Sequence, residues 1–247
     1  MQGLIDRGKY KVIEVLDSDE NCEVCLCIDV MVDSGYKPCL INTYKSKQAI
    51  KELLPLSYDK QFQKCSGFQR LVTEYGSISV VFDYHSGESF DSYFAQKPAL
   101  SYEDRTALAQ SMLLSAIELD MLDDRLAAGV LRRCNAVVDS GLMKISFNCV
   151  IPVEYVPQER FRSVRLGKML CSIFPPDRKL PLDIDRFIID LLNGGYGSCV
   201  EIYSAWRDTL QKAEETLKLY EKESFLKRCI RRAKEKKIRK RNIPQSE

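Results

Sequence analysis

Apolar and polar residues alternate early in the chain and recur at helical spacing later in it. Residues 9–16 (KYKVIEVL) alternate as a strand, with Val12 and Ile13 mixing its faces, and residues 22–30 (CEVCLCIDV) read as its hairpin partner. Residues 38–44 (PCLINTY) predict a third strand. Residues 68–74 and 77–84 predict a second hairpin around Tyr75-Gly76, the latter run (SISVVFDY) having the strongest strand composition in the chain. Between the hairpins, residues 46–54 (SKQAIKELL) predict a short helix capped by Ser46 and ended by Pro55.

From residue 90 onward the period changes. Residues 90–96 and 101–121 predict helices. In the longer one Ser101 and Asp104 form a capping pattern, and Leu108, Met112, Ser115 or Ala116, and Leu119 recur at helical spacing as a core stripe. Residues 161–173 and 182–193 predict two more helices, the second stopped by Gly194-Gly195. No proline or glycine interrupts residues 198–241, which predicts one long helix through Ile202, Trp206, Leu210, Ala213, Leu217 and Tyr220. Strands first and helices afterwards predict an α+β fold.

One short β-hairpin lies among the helices, at residues 127–149 (AAGVLRRCNAVVDSGLMKISFNC): residues 135–138, a turn at Asp139-Ser140-Gly141, then residues 142–147. This order of loop, Asn, three apolar residues, Asp, turn and Lys-Ile resembles the catalytic core of protein kinases. Matched by position, the family's H-R-D falls on Ala128-Gly129-Val130, its catalytic-loop Lys on Arg132, its metal-binding Asn on Asn135 and its D-F-G on Phe147-Asn148-Cys149. The three glycines of the phosphate-covering loop fall on Asp17, Asp19 and Cys22, and the valine on Val24. Side chains there obstruct close backbone approach, and two carboxylates repel a triphosphate by about a few kcal/mol each. The phosphate-binding Lys position of V-A-I-K falls on Asn42. Lys45, three residues on, faces the other way, and Glu52 follows Lys45 too closely to form the family's ion pair.

The resemblance covers residues 9–193 in order and spacing, with no motif intact. It implies a two-lobed kinase-like fold: a small antiparallel β lobe (1–84), a reduced helical lobe (85–197) with a degenerate catalytic loop, and a long basic C-terminal helix (198–247). In outline the chain is similar to the cytoplasmic kinase-like domains of bacterial type VII secretion membrane proteins. That likeness implies a pseudokinase with no catalytic residue and no cofactor or metal, Asn135 being a residual position only. Its expected role is as a scaffold for a protein partner in an assembly or secretion complex. Atypical nucleotide binding or phosphotransfer, and nucleic-acid binding through the tail, are the alternatives.

Composition narrows the setting. The chain has 247 residues, 45% apolar and 29% charged, as soluble globular proteins do. No apolar run reaches membrane-spanning length, and the first residues lack a signal-peptide pattern. The ten cysteines are expected as free thiols in a reducing cytoplasm. Cys22, Cys25, Cys27 and Cys39 fall close together but lack metal-ligand spacing, which favours buried apolar roles. Cys134, beside Arg132 and Arg133, is the candidate for an activated thiol, and the lone His85 reads as a solvated loop residue.

The net charge of +2 hides a split. Residues 225–241 hold ten Lys or Arg and one Glu, a net of +9, and the remainder carries −7. Arg228, Arg231, Arg232, Lys234, Lys236, Lys237, Arg239, Lys240 and Arg241 are therefore the expected partner-binding residues. Their partner is expected to be an acidic protein or an anionic membrane face on the cytoplasmic side. Nucleic acid is less favoured because aromatic residues are missing beyond Phe225.

Overall fold

A computed structural model of the chain describes residues 4–6, 8–31, 37–96, 98–151, 160–175 and 181–222, with Arg231 and Lys234. The described residues form an α+β fold with antiparallel sheets and seven α-helices. It divides into two compact units, one of Met1–Tyr93 with Glu118–Pro157, the other of Phe94–Ile117 with Gln158–Glu247. The expected segment 1–84 falls wholly in the first unit and 198–247 wholly in the second, while 85–197 is shared between them.

The first unit is built on six strands: β1 (Leu4–Ile5), β2 (Tyr10–Ser18), β3 (Cys22–Asp29), β4 (Pro38–Tyr44), β5 (Phe68–Glu74) and β6 (Ser77–Asp83). Their order is β1-β2-β3-β4-β6-β5, with every neighbour antiparallel. The sheet curls until its two edges meet. Arg70 of β5 pairs with Asp6, next to β1, at 2.7 Å, and its guanidinium stands 6.0 Å from the Tyr10 ring centroid. Tyr10, Cys25, Cys27, Cys39, Ile41, Val72 and Val81 fill the space enclosed on that face.

The face-mixing at Val12 and Ile13 has a structural cause. Register shifts between Val12 and Glu14, and again between Val15 and Asp17, make Ile13 and Leu16 the extra residues of two β-bulges. The strand also runs two residues beyond its expected end.

Helix α1 (Lys47–Tyr58) follows β4 and corrects the expected boundary. Ser46 caps it, accepting from the Ala49 N–H at 3.0 Å, but the helix does not stop at Pro55. Proline costs the helix one hydrogen bond. The following turn is still bonded, Asp59 N–H reaching Pro55 O at 2.9 Å, and Leu53 and Leu56 stay buried on the same face.

The short helix α2 (Phe90–Ala95) comes next, then α3 (Tyr102–Ile117). Ser101 and Asp104 cap α3 reciprocally, each backbone N–H bonding the other's side chain at 3.1 Å. The α-helix ends four residues before the expected Met121, residues Glu118–Met121 tightening into a 3-10 turn. Helix α4 (Asp124–Val130) leads through a 3-10 turn at Arg133–Asn135 into a hairpin of β8 (Ala136–Asp139) and β9 (Lys144–Phe147), with β7 (Glu88–Ser89) pairing on β8. The hairpin is where it was expected, but the left-handed residue of its turn is Met143 (φ 48°), not Gly141. Asp139 fixes that turn by accepting from the Leu142 N–H at 3.0 Å.

The second unit holds α3 with α5 (Phe161–Ile173), α6 (Leu182–Leu192) and α7 (Cys199–Lys222). Gly167 lets α5 and α6 approach, since a Cβ there would stand 3.0 Å from Leu191 Cβ. Ser163 Oγ–H ties the same pair to Leu191 O at 2.8 Å. Trp206 of α7 is fully buried, its ring 5.8 Å from Phe174 and 5.5 Å from Phe187. Helix α7 follows the expected 198–241 helix as far as Lys222, and of the remainder only Arg231 and Lys234 are among the described residues. The Arg231 guanidinium lies 3.3 Å from the Tyr220 ring centroid. Among the described residues no helix is long and apolar enough to cross a membrane.

Candidate functional site

The positions singled out by the kinase resemblance on β4, β9 and the 3-10 turn lie in the first unit, where three buried asparagines organise them. Asn42 sits mid-strand on β4, paired with Val24 and Val80 on either side and fully buried. Its Nδ2–H donates to Cys149 O at 2.8 Å, and its Oδ1 accepts from the Ile151 N–H at 2.9 Å. The amide behaves as a piece of backbone, pairing with the segment after β9. Two positions along, Tyr44 O–H donates to Ile151 O at 2.9 Å, and complete burial pushes its phenol well above the usual range.

Asn148 makes the same kind of grip on His85: its Oδ1 accepts from the His85 N–H at 2.9 Å and its Nδ2–H donates to His85 O at 3.1 Å. Asn135 ties both ends of its loop. Its Nδ2 group points at Gly129 O, Val130 O and Val150 O at 2.9, 3.2 and 3.1 Å, and its own carbonyl accepts from the Asn148 N–H at 2.9 Å. Phe147 is buried. Buried amides must be satisfied, and here the partners are carbonyls and N–H groups of the protein itself.

The hairpin turn between β2 and β3 follows the same logic. Asp19 Oδ1 accepts from the Asn21 N–H at 2.7 Å and the Cys22 N–H at 2.6 Å. Backbone donors that a glycine-rich loop would turn towards phosphate are held by a carboxylate of the chain. Beside the turn, Lys45 bonds Glu23 at 2.5 Å and holds that carboxyl below its usual range. Glu52 accepts instead from Gln48, one turn back on α1.

The remaining candidates are placed as follows. Cys27 faces Cys39 across β3 and β4, and Cys25 faces Ile41, inside the curled sheet. Cys22 lies opposite Tyr44. Burial pushes the Cys22 and Cys27 thiols up to about 12 and those of Cys25 and Cys39 up to about 11. Among the described residues no three His, Cys, Asp or Glu side chains are grouped to hold a metal ion. Cys134 is exposed, its thiol 3.6 Å from Asn135 Oδ1, while neighbouring Arg133 pairs with Asp91 and stands 5.1 Å from the Phe90 ring centroid. His85 is not simply solvated: Asn148 holds its backbone, and burial, then Lys144, push its imidazole down. Of the tail positions, Arg231 is half-buried and Lys234 exposed. Arg228, Arg232, Lys236, Lys237, Arg239, Lys240 and Arg241 lie outside the described residues.

Sequence reasoning missed the roles of Asn148 and Tyr44. A signal existed: Asn42, Asn135 and Asn148 each interrupt an apolar run (LINTY, CNAVV, FNCVI), and a buried amide in such a run must find partners. No protein-family model matches the chain, and no curated protein matches it.

Proposed function

We propose that the chain is a degenerate, two-lobed protein-kinase-like fold of the bacterial pseudokinase kind, serving as a binding or assembly module and not as a phosphotransferase. One observation carries this reading. The polar groups at the positions matched to phosphate- and metal-binding residues are spent inside the protein: Asp19 on its own turn, Asn42 on the segment after β9, and Asn135 on three carbonyls. Val130 offers no base and Phe147 no metal ligand. The +9 run at residues 225–241 fits an anionic partner. The setting that suits both features is the cytoplasmic side of a membrane assembly or secretion complex.

The test is thermal. Millimolar ATP with magnesium leaves the melting temperature of the full chain unchanged. A clear rise that Asn135→Ala abolishes overturns the reading in favour of nucleotide binding. For the tail, vesicles containing anionic lipid bind the chain at low salt and release it as salt rises, because exposed charges are screened over about 8 Å at physiological ionic strength. Equal binding to neutral vesicles overturns the membrane-face assignment. Tighter binding to DNA at matched salt replaces it with nucleic acid.

A further inference from the structure

The negative charge of the body is concentrated in one place. Between Val12 and Tyr36 the chain has seven Asp or Glu and no Lys or Arg, matching the −7 of everything outside residues 225–241. Two of the seven are neutralised from elsewhere in the first unit, Asp29 by Lys9 at 3.3 Å and Glu23 by Lys45 at 2.5 Å. Asp33 lies outside the described residues, and Glu14, Asp17, Asp19 and Glu20 stand on the exposed stretch 13–20. Among them stand three large apolar side chains, Ile13, Val15 and Leu16, at 52%, 53% and 41% exposure. Beyond its pairing with β1 at Tyr10 and Lys11, this side of β2 carries no strand among the described residues.

The occupant follows from three facts. The bulges at Ile13 and Leu16 break the regular ladder, so an added strand is a poor fit and a side-chain-on-side-chain contact a good one. Two such edges laid together would oppose carboxylate to carboxylate, so the partner surface is cationic. Residues 225–241 carry +9 with Phe225, Leu226, Cys229, Ile230 and Ala233 at the spacing of one helical face. We infer that the acidic, apolar strip on β2 receives the cationic run 225–241 of a second copy of this chain. Reciprocal exchange gives two identical contacts about a two-fold axis. The inference rests on the reading as an assembly module and names its partner.

The experiment is sedimentation of the full chain over a range of concentrations and salt. The wild type self-associates at low salt and dissociates as salt rises. An edge-reversed form (Glu14→Lys, Asp17→Lys, Glu20→Lys) and a tail-reversed form (Arg231→Glu, Arg232→Glu, Lys236→Glu, Lys237→Glu) each lose association by at least about tenfold. Mixed together they regain it, because each supplies what the other lacks. Ile13→Ser with Leu16→Ser weakens association without altering the response to salt. A monomeric wild type, association that survives both reversals, or a mixture that stays monomeric each overturns the inference. None of these outcomes touches the ATP measurement, so a failure here is distinguishable from a failure of the pseudokinase reading.

Discussion

The centre and the edge of the curled sheet put branched apolar side chains to opposite ends. On β4 and β6 nearly every side chain is buried, and the polar ones are consumed: Asn42 on the main chain after β9, Thr43 on Ser79 at 3.0 Å. On β2 the residues from Ile13 on are exposed, two bulges interrupt the ladder, and carboxylates and branched apolar side chains stand together in solvent. An interior strand gains stability by satisfying every group internally. An edge strand with unsatisfied apolar surface gives up some of that gain, and what it offers in return is a surface. The centre therefore resists change and the edge tolerates it, and this contrast can be tested from both sides.

The largest effect is expected from the thiols packed on β3 and β4. Folding raises Cys22 and Cys27 to about 12 and Cys25 and Cys39 to about 11, from an ordinary 9.0. Above pH 9 the unfolded chain has released these protons and the folded chain has kept them. Stability is therefore full below pH 9 and falls as pH rises towards the folded values. Each thiol contributes a slope of up to about 1.4 kcal/mol per pH unit, so several kcal/mol are lost by about pH 11. Denaturant titrations between pH 8 and 11 read this directly. Replacing Cys27 and Cys39 by Ala must flatten the slope; an unchanged slope would place the alkaline loss elsewhere and weaken the contrast.

Next comes Asn42→Leu. It leaves Cys149 O and the Ile151 N–H buried without their partner, at a cost of about 3 kcal/mol. Tyr44→Phe removes one bond to Ile151 O and costs about 1 kcal/mol. Urea unfolding of both variants checks the order. Should Asn42→Leu match wild type, the clasp contributes nothing to stability and the centre is held by packing alone.

Much of this architecture was legible from periodicity because periodicity reports burial. The strands at Phe68–Glu74 and Ser77–Asp83, the helix Phe161–Ile173 and the capping pair Ser101–Asp104 lie where pattern and cap chemistry place them. Three features escaped for physical reasons. Pro55 reads as a stop, yet one missing hydrogen bond is outweighed where Leu53 and Leu56 stay buried. Ile13 and Leu16 break alternation because they are bulged, and a bulge has no composition signature. The clasp joins residues more than a hundred apart in sequence, Asn42 to Ile151, which local spacing cannot reveal. The kinase resemblance marked Asn42 as the place where a phosphate-binding Lys is missing and Asn135 as a residual position; their hydrogen bonds give both side chains a structural role.

A smaller effect belongs to the turn between centre and edge. Asp19→Ala frees the Asn21 and Cys22 N–H groups, at the end of the turn where Asn21 is half-buried and Cys22 buried, at a cost of about 1 kcal/mol. The informative readout is binding: if the turn is a self-filled anion nest, Asp19→Ala gains a weak stabilisation by inorganic phosphate that wild type lacks. No gain means the carboxylate is only a turn-former.

The smallest effect is predicted where large apolar side chains of β2 stand in the open. Ile13→Ser and Leu16→Ser remove branched side chains that are about half exposed, at bulged positions. A core isoleucine cut down in this way would cost about 2–5 kcal/mol through lost transfer energy and the cavity left behind. Here there is little buried area to lose and no enclosed cavity to form, and serine removes apolar surface from water. The melting temperature at low protein concentration should therefore stay within about 0.5 kcal/mol equivalent of wild type. If either substitution destabilises the dilute protein as a core substitution does, Ile13 and Leu16 are packed in solution, the edge is not an open surface, and the distinction between the two ends of the sheet fails.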